Sequence, residues 1–432
     1  MKRFLLLLLL SVPVFLLAQS AMSLDDCIRL AYKQNPAVRN GVIGIKETKA
    51  DYIASVGAFL PHIVVNAETG KRFGRSLDPD TNGYTSESFE EGTVGLDMTL
   101  SLFEGFSRIN QVRFRKMNKE RSEWELKEKQ NELAYQVTAY YKLILERKLL
   151  DLALEQSRLS ERYLKQTEVF VELGLKSASD LQEVKARREG DIYRYQSRGN
   201  SSRIALLHLK QLMNIQPGDT LAILDTITAS QLPPYSVSTV ETLYAQSIEI
   251  LPSIRMIDLK QKAAHKEYAI AGGAFSPSVF ARFTVGSNYY NTAFSARQLR
   301  DNIGKYVGVG ISFPLLSGLQ RLTNQRKLKL NMYRLKNEEE LEKQQLYTDI
   351  EQTLLSLHTG YSEHQQALSQ LDAETLVLKE SERKWEEGLI SVFQLMEARN
   401  RFIAAKAELV RVRLQIEMMM KLEKYYRQGT FL

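Results

Sequence analysis

Residues 107–173 read SRINQVRFRKMNKERSEWELKEKQNELAYQVTAYYKLILERKLLDLALEQSRLSERYLKQTEVFVEL and contain neither glycine nor proline. Most of them are Glu, Lys, Gln, Leu and Arg, which lose little rotamer freedom in a helix. At 1.5 Å per residue, one unbroken helix of this length would extend about 100 Å. The composition therefore predicts a helix that is too long for an ordinary globular domain.

The apolar positions of this helix form a narrow stripe, because they recur mainly at spacings of three and four. The stripe runs through Leu126, Leu133, Val137, Tyr140 and Ile144 and continues through Leu145, Leu149, Leu152, Gln156, Leu159 and Tyr163. A stripe of this width is typical of a coiled-coil seam, which packs against other long helices. We therefore expect several long helices to lie side by side.

The second half of the chain repeats the first at an offset of roughly 215 positions, which indicates a tandem duplication. Gly57-Ala58-Phe59-Leu60-Pro61 recurs as Gly273-Ala274-Phe275-Ser276-Pro277, and Leu102-Phe103-Glu104-Gly105 as Leu315-Leu316-Ser317-Gly318. The turn Gly174-Leu175-Lys176-Ser177 recurs as Gly388-Leu389-Ile390-Ser391. A second long helix, from about residue 320, has a seam of the same kind: Leu346, Ile350, Leu354, Leu357, Tyr361, His364, Leu368 and Leu371.

Four shorter segments alternate apolar and polar residues with a period of two, which predicts strands with one apolar face. They cover about residues 61–70, 92–103, 277–287 and 305–316. A tilted strand of this length can cross a bilayer. We expect one set of side chains to face lipid in the second strand: Val94, Leu96, Met98, Leu100 and Leu102.

The order of these segments predicts a domain plan. Residues 1–20 have the basic start, apolar run and small residues of a cleaved secretory signal. A first repeat would span residues 21–215 with a helical hairpin at 107–214, and a linker would follow at 216–237. The second repeat would span residues 238–432, with its hairpin at 320–428.

The charged residues and the histidines suggest no chemistry. The chain carries 58 Lys and Arg residues against 51 Asp and Glu residues, a formal net charge of +7. Both signs are interleaved along the helices, which indicates a solvated surface rather than a nucleic-acid site. The five histidines lack metal-ligand spacing, and no nucleophile–base pair has a recognisable pattern. We therefore expect no catalytic residue, metal, cofactor or nucleic acid, and no enzyme.

Four strands cannot close a barrel in lipid, because the unpaired groups of both edge strands would face hydrocarbon. The sequence resembles the TolC-like outer-membrane efflux proteins. The resemblance rests on the duplication, on the helix-to-strand motif at 57–61 and 273–277, on the strand-to-helix motif at 102–105 and 315–318, and on the paired turns at the hairpin tips. The resemblance implies an α+β membrane protein with long coiled-coil helices. It also implies a homotrimer, whose twelve strands, four per protomer, form one outer-membrane β-barrel above a periplasmic helical barrel.

The resemblance also implies partners and sites. The far end of the tunnel would meet a periplasmic adaptor and an inner-membrane pump. The hairpin tips would form the docking surface: Gly174, Leu175 and Ser177, with Gly388, Leu389, Ile390 and Ser391. Glu382 and Glu386 would repeat around the axis as a carboxylate ring that gates the periplasmic end. The residues alone favour a different interpretation, in which the same two glutamates lie on a solvated helix face.

Two functions remain open on the sequence. The first is a passive outer-membrane duct of a tripartite efflux or type I secretion system. The second is a periplasmic coiled-coil adaptor or tether that has no membrane barrel. Only the first explains four amphipathic strands, and membrane fractionation separates the two.

Overall fold

A computed structural model describes residues 21–77, 82–86, 88–225, 232, 238–291, 294, 296–315 and 318–432. The predicted signal peptide at 1–20, and residues 226–231 and 233–237 of the linker predicted at 216–237, lie outside these residues. The helices and strands follow in the order α1 Leu24–Gln34, α2 Pro36–Gly57, β1 His62–Arg72, β2 Ser76–Leu77, β3 Tyr84–Thr85, β4 Phe89–Glu104, α3 Ser107–Val137, α4 Ala139–Glu172, α5 Ala178–Leu212, α6 Val240–Ile250, α7 Pro252–Gly273, β5 Ser278–Asn291, α8 Ala296–Asp301, β6 Gly304–Ser312, α9 Gln320–Glu386 and α10 Val392–Gln428.

The chain divides into two compact units. One comprises Met1–Asn40, Lys127–Leu251 and Gln345–Leu432, and it contains both helical hairpin tips. The other comprises Gly41–Leu126 and Pro252–Gln344, and it contains the main sheet. Each unit therefore takes matching parts from both sequence repeats. Among the described residues, no helix has an apolar run long enough to cross a membrane.

Part of each predicted seam is buried in the first unit. Four seam residues of the first repeat are buried, as the stripe predicts: Leu133, Val137, Tyr140 and Ile144. The corresponding residues on α9 are buried too: Leu346, Ile350, Leu354 and Leu357.

The prediction of one unbroken helix over residues 107–173 is wrong at Thr138. The Thr138 N–H donates to the Tyr135 carbonyl oxygen at 3.0 Å, and the Tyr141 N–H donates to the Thr138 carbonyl oxygen at 2.9 Å. The Thr138 hydroxyl also donates to the Tyr135 carbonyl oxygen, at 2.5 Å. Bonds between residues three apart tighten the backbone locally, and a threonine hydroxyl that competes for a backbone carbonyl favours such a turn. Helix α3 therefore ends at Val137, and α4 begins at Ala139.

The main sheet is antiparallel, with the strand order β1-β4-β5-β6. Ile63 lies opposite Met98 in the first hairpin, and Val279 lies opposite Ile311 in the second. The repeat offsets make these two pairs equivalent, so both copies of the hairpin have the same register. Strands β1 and β6 are the edges of the sheet.

Strand ends differ from the prediction in both directions. Strands β1, β4 and β5 extend further towards their loops, where Arg72 pairs with Glu91 at 2.9 Å and Phe89 stacks on Tyr290 at 4.7 Å. Strand β6 stops at Ser312 rather than near residue 316. Pro314 follows, and proline has no N–H to donate to a neighbouring strand.

A β-bulge lies at Leu102. Ser101 pairs with Phe280, whereas Phe103 pairs with the next residue, Val279, so Leu102 is the extra residue. The regular pairing of Val94 to Leu100 therefore does not continue through Leu102, and the lipid-facing assignment of Leu102 stays a prediction. A bulge of this kind bends the strand and raises its twist, here just before the chain enters α3.

Close backbone packing supports the strand-to-helix junction. Gly105 has φ +57°, and a Cβ placed on it would lie 2.4 Å from the Gly273 carbonyl oxygen. The Ser107 hydroxyl donates to the Ile270 carbonyl oxygen at 3.0 Å in the same region. Gly105 and Gly273 are therefore needed because two backbones meet there, whereas their counterparts Gly318 and Gly57 have no atom within 4 Å of an added Cβ.

Replacing Gly105 by alanine is expected to destabilise the sheet-bearing unit by roughly 2–5 kcal/mol, because left-handed strain and steric overlap add. The control is Gly174→Ala, because Gly174 also has a left-handed backbone, with φ +71°, but no atom lies within 4 Å of a Cβ added there. We expect the control to cost only about 1–2 kcal/mol. Thermal unfolding of both variants in the same detergent measures the difference. Equal losses would contradict the steric argument.

Candidate functional sites

The main sheet has one apolar face and one polar face, because residues directly opposite each other in a ladder point the same way. The apolar face comprises Ile63, Val65 and Ala67 of β1, Val94, Leu96, Met98 and Leu100 of β4, Val279, Ala281, Phe283 and Val285 of β5, and Val307, Val309 and Ile311 of β6. Much of it is exposed: Val307 is 77% and Ile311 is 73% accessible. An exposed apolar patch across four strands indicates a surface that is covered by lipid or by protein.

The opposite face carries polar groups. Asp97 accepts hydrogen bonds from Thr284 at 2.9 Å and from Asn66 at 3.4 Å. Two glycines of β6 leave room for neighbouring rings, since the Tyr306 side chain lies over Gly308 and the Phe280 ring lies over Gly310. This face therefore suits contact with water.

The two hairpin tips have the same backbone geometry. Gly174 and Gly388 have φ +71° and +76°. The Leu175 N–H donates to the Phe170 carbonyl oxygen at 2.8 Å, and the Leu389 N–H donates to the Lys384 carbonyl oxygen, also at 2.8 Å. These are the bonds of a Schellman motif, in which a left-handed glycine ends a helix.

Each returning helix begins with a capping box. The Ser177 hydroxyl accepts from the Asp180 N–H at 3.1 Å, while the Asp180 carboxylate accepts from the Ser177 N–H at 3.0 Å. The Ser177 hydroxyl also donates to the Asp180 carboxylate, at 2.8 Å, and the two bonds that this carboxylate accepts from Ser177 lower the pKa of Asp180. Ser391 and Gln394 form the equivalent box at the second tip. The caps satisfy the first N–H groups of α5 and α10 and make both turns rigid.

Apolar side chains are presented at these rigid turns. Leu175 is 65% and Leu389 is 68% exposed, and Ile390 is half-buried. Behind the turns, Val184 packs with Val392 and Met396, so α5 and α10 meet just inside the tips. The local turn chemistry explains the glycines and serines but leaves the exposed leucines without an internal partner.

The first tip packs differently from the second. Trp385 occupies the position three residues before Gly388, whereas Val171 occupies the equivalent position before Gly174. Trp385 is buried against Tyr163, with ring centroids 5.1 Å apart, and against Phe170 at 5.8 Å. One aromatic cluster therefore joins the ends of the two hairpins.

The two predicted gate residues lie in different environments. The Tyr163 hydroxyl donates to Glu382 Oε1 at 3.4 Å, and the Arg399 guanidinium lies 5.1 Å from the centre of the Tyr163 ring. Burial raises the pKa of Tyr163. Glu386 is exposed and enters none of the ion pairs that the described residues form. The structure thus links Glu382 to the aromatic cluster and leaves Glu386 on the surface.

The outer membrane efflux protein family matches the sequence over residues 27–214 and 243–418, which is most of the chain. The chain belongs to this family. The efflux protein also has the fold of several solved channels. The Campylobacter jejuni CmeC outer membrane channel superposes with a TM-score of 0.83 at 14% identity, over 94% of this chain and 85% of that one.

Two further channels are similar to this efflux protein. The Vibrio cholerae outer membrane protein VceC gives a TM-score of 0.78 at 14% identity, over 95% of this chain and 97% of that one. The open state of the Neisseria gonorrhoeae MtrE channel gives 0.76 at 17% identity, over 95% and 89%. No curated protein matches in sequence. These findings confirm the predicted family, fold class and outer-membrane location.

Sequence reasoning missed the partners of Glu382 in this efflux protein. Tyr163 was recognised only as a seam position, and Arg399 carried no signal, although its burial is unusual for an arginine. No group of three or more His, Cys, Asp or Glu side chains is placed to hold a metal within the described ranges.

The gate assignment stays a prediction that conductance can test. Replacing Glu382 and Glu386 together by glutamine is expected to lower cation selectivity in planar bilayers, because a carboxylate ring favours cations. The matched control is Glu380→Gln, since Glu380 already pairs with Arg383 at 2.7 Å and Lys384 at 3.6 Å. Unchanged selectivity in the double variant would assign both glutamates to a solvated helix face.

Proposed function

We propose that three copies of this chain form an outer-membrane duct that passively conducts substrates from the periplasm, or from an inner-membrane pump, to the outside. The observation that carries the proposal is the exposed apolar face of a sheet with two open edges. In lipid, unpaired N–H and C=O groups of β1 and β6 would each cost several kcal/mol. Pairing β6 of one copy with β1 of the next removes both edges.

The internal duplication supports a specific register for this pairing. Within the chain, β4 of the first repeat pairs with β5 of the second, and Met98 lies opposite Phe283. The matched hairpin registers make Met98 equivalent to Ile311 and Phe283 equivalent to Ala67. Applying the same pairing between copies places Ile311 opposite the Ala67 position of the next copy. Twelve strands from three copies are the number that the TolC-like resemblance implies.

A cysteine pair at Ala67→Cys and Ile311→Cys is expected to form disulfides between copies. Within one chain these positions are separated by the three strand spacings of the sheet order, about 14 Å, so they cannot bond internally. The native Cys27 is buried and should not interfere. A covalent trimer on a non-reducing gel, lost on reduction, is the expected result.

The control moves one cysteine by four residues along β1. Ile63→Cys with Ile311→Cys shifts the pair by about 13 Å, beyond disulfide reach. Efficient cross-linking of this control with none at Ala67 would contradict the proposed register. A monodisperse monomer in mild detergent would contradict the assembly itself.

We further propose that the duct serves a tripartite efflux or type I secretion system. The exposed leucines at the rigid hairpin tips support docking of a periplasmic adaptor, and transport energy would come from the partner pump. The alternative, a coiled-coil adaptor or tether without a membrane barrel, shares the long helices and the tips. It does not account for an apolar sheet face that the described residues of the chain leave largely uncovered.

A further inference from the structure

A short helix, α8, is fixed at the loop end of the main sheet. The Tyr290 N–H donates to Gln298 Oε1 at 3.0 Å, and Asn302 Nδ2 donates to the Asn288 carbonyl oxygen at 2.9 Å. The Ser287 hydroxyl donates to the Leu299 carbonyl oxygen. These bonds tie the middle of the helix and the residue after its C-terminal end to β5, which holds the helix against the strand.

Helix α8 lies over the apolar face rather than the polar one. Leu299 borders a hollow of about 280 Å³ together with Ala67 and Val94 of the apolar face and with Tyr289. The Phe294 ring packs edge-on against Tyr289 at 5.2 Å and remains 63% exposed. The apolar face therefore ends, on its loop side, in a helix with aromatic residues beside it.

Cationic side chains surround this end of the apolar face. The side chains of Arg297 and Arg300 are 85% and 76% exposed, and both lie near the single carboxylate of Asp301, at 3.6 Å and 3.0 Å. Lys305 is exposed on the same face, opposite Val285. On the neighbouring strands, Lys71 lies directly opposite Glu90, so this pair adds no net charge. Arg297 and Arg300 thus share one carboxylate, and Lys305 adds a third cation on the same face.

We propose that Arg297, Arg300 and Lys305 bind the phosphate groups of lipid headgroups in the leaflet around the loop end of the sheet. The inference rests on the proposed contact between the apolar face and lipid. A guanidinium matches two phosphate oxygens at once, and a lysine ammonium adds a point charge. Aromatic residues next to such cations are typical of the boundary between acyl chains and headgroups. The adjoining apolar surface selects a lipid rather than a soluble phosphate.

The test uses the assembled protein in nanodiscs of equal parts phosphatidylglycerol and phosphatidylcholine. After mild detergent extraction, mass spectrometry measures the anionic lipid that remains bound. The triple variant Arg297→Gln, Arg300→Gln, Lys305→Gln is expected to bind phosphatidylglycerol at least about tenfold more weakly. Asp301→Asn removes the shared acid and is expected to strengthen binding. A misfolded protein would not produce opposite changes in these two variants.

The control removes the same charge from α9, with Arg326→Gln, Lys327→Gln and Lys329→Gln, and is expected to retain the lipid. Unchanged retention in the α8 triple variant, or an equal loss in the α9 control, would overturn the inference. Binding of glycerophosphate as tight as that of the whole lipid would also overturn it, in favour of a soluble-anion site. If the unmodified protein fails to enter nanodiscs, the proposed duct fails; if it enters without enriching anionic lipid, only this inference fails.

Discussion

Gly388→Asp and Leu389→Asp are each expected to abolish export while leaving trimers intact in the membrane. Neither change disturbs packing, because no atom lies within 4 Å of a Cβ added at Gly388, and Leu389 is 68% exposed. Aspartate also tolerates the left-handed backbone of Gly388 better than most residues. The fold should therefore survive. Burying the new carboxylate in an apolar docking contact would cost several kcal/mol, since an unpaired charge loses its hydration there.

Matched variants separate the charge from the change of shape. Gly388→Asn has nearly the same size and backbone tolerance as Gly388→Asp, and Leu389→Met keeps an apolar side chain. Both are expected to retain most export. Trimer abundance, efflux and cross-linking to the adaptor should be measured together. Export and cross-linking that persist in both aspartate variants would mean that the tips are only turns and that docking occurs elsewhere on the helices.

Met98→Arg is expected to prevent insertion of the assembled sheet. Met98 lies on the apolar face between Ile63 of β1 and Phe283 of β5, near the middle of its strand. An arginine at the bilayer midplane of a membrane strand costs roughly 2–4 kcal/mol, and each trimer would contain three of them. Loss of the trimer from the outer-membrane fraction is the expected readout.

The control for Met98→Arg uses the polar face of the same strand. Thr93 lies opposite Glu68 and Asn288, so Thr93→Arg adds a charge among polar partners and should be tolerated. Thr99 is a poorer control, because it lies opposite Arg282 and a second arginine would add repulsion. Normal assembly of Met98→Arg together with failed assembly of Thr93→Arg would reverse the assignment of lipid and water to the two faces.

Regular periodicity made much of the fold predictable. The seam on either side of Thr138, the alternation from Val94 to Leu100 and the repeated tip motifs all reflect rules that act within a few residues. A helix repeats every 3.6 residues and a strand every two, so the pattern of apolar side chains indicates which surface each element buries. The Gly and Ser of each tip likewise reflect local turn and cap geometry.

Two features that the sequence did not predict, the bulge at Leu102 and helix α8, depend on contacts with segments that are distant in the chain. Leu102 looks like one more apolar position of a regular strand, and the bulge there becomes visible only in its pairing with Val279 and Phe280. Helix α8 is too short to have a periodic signal, and the bonds that hold it come from β5. In each case the deciding contact is made by another segment, so the residues concerned carry no pattern of their own.

The residues of the candidate sites also fall into two groups: those that the sequence identifies, and those that only the structure brings together. The glycines, leucines and serines of the tips can be read from the sequence, because a left-handed residue followed by a cap has a chemical signature. The link between Tyr163, Glu382 and Arg399 cannot, since it joins residues on three helices. Periodicity predicts which side of a helix is buried. It does not predict which neighbouring helix that side contacts, or at which position along the helix axis. Those choices depend on the simultaneous packing of several helices, so only the folded chain brings these side chains together.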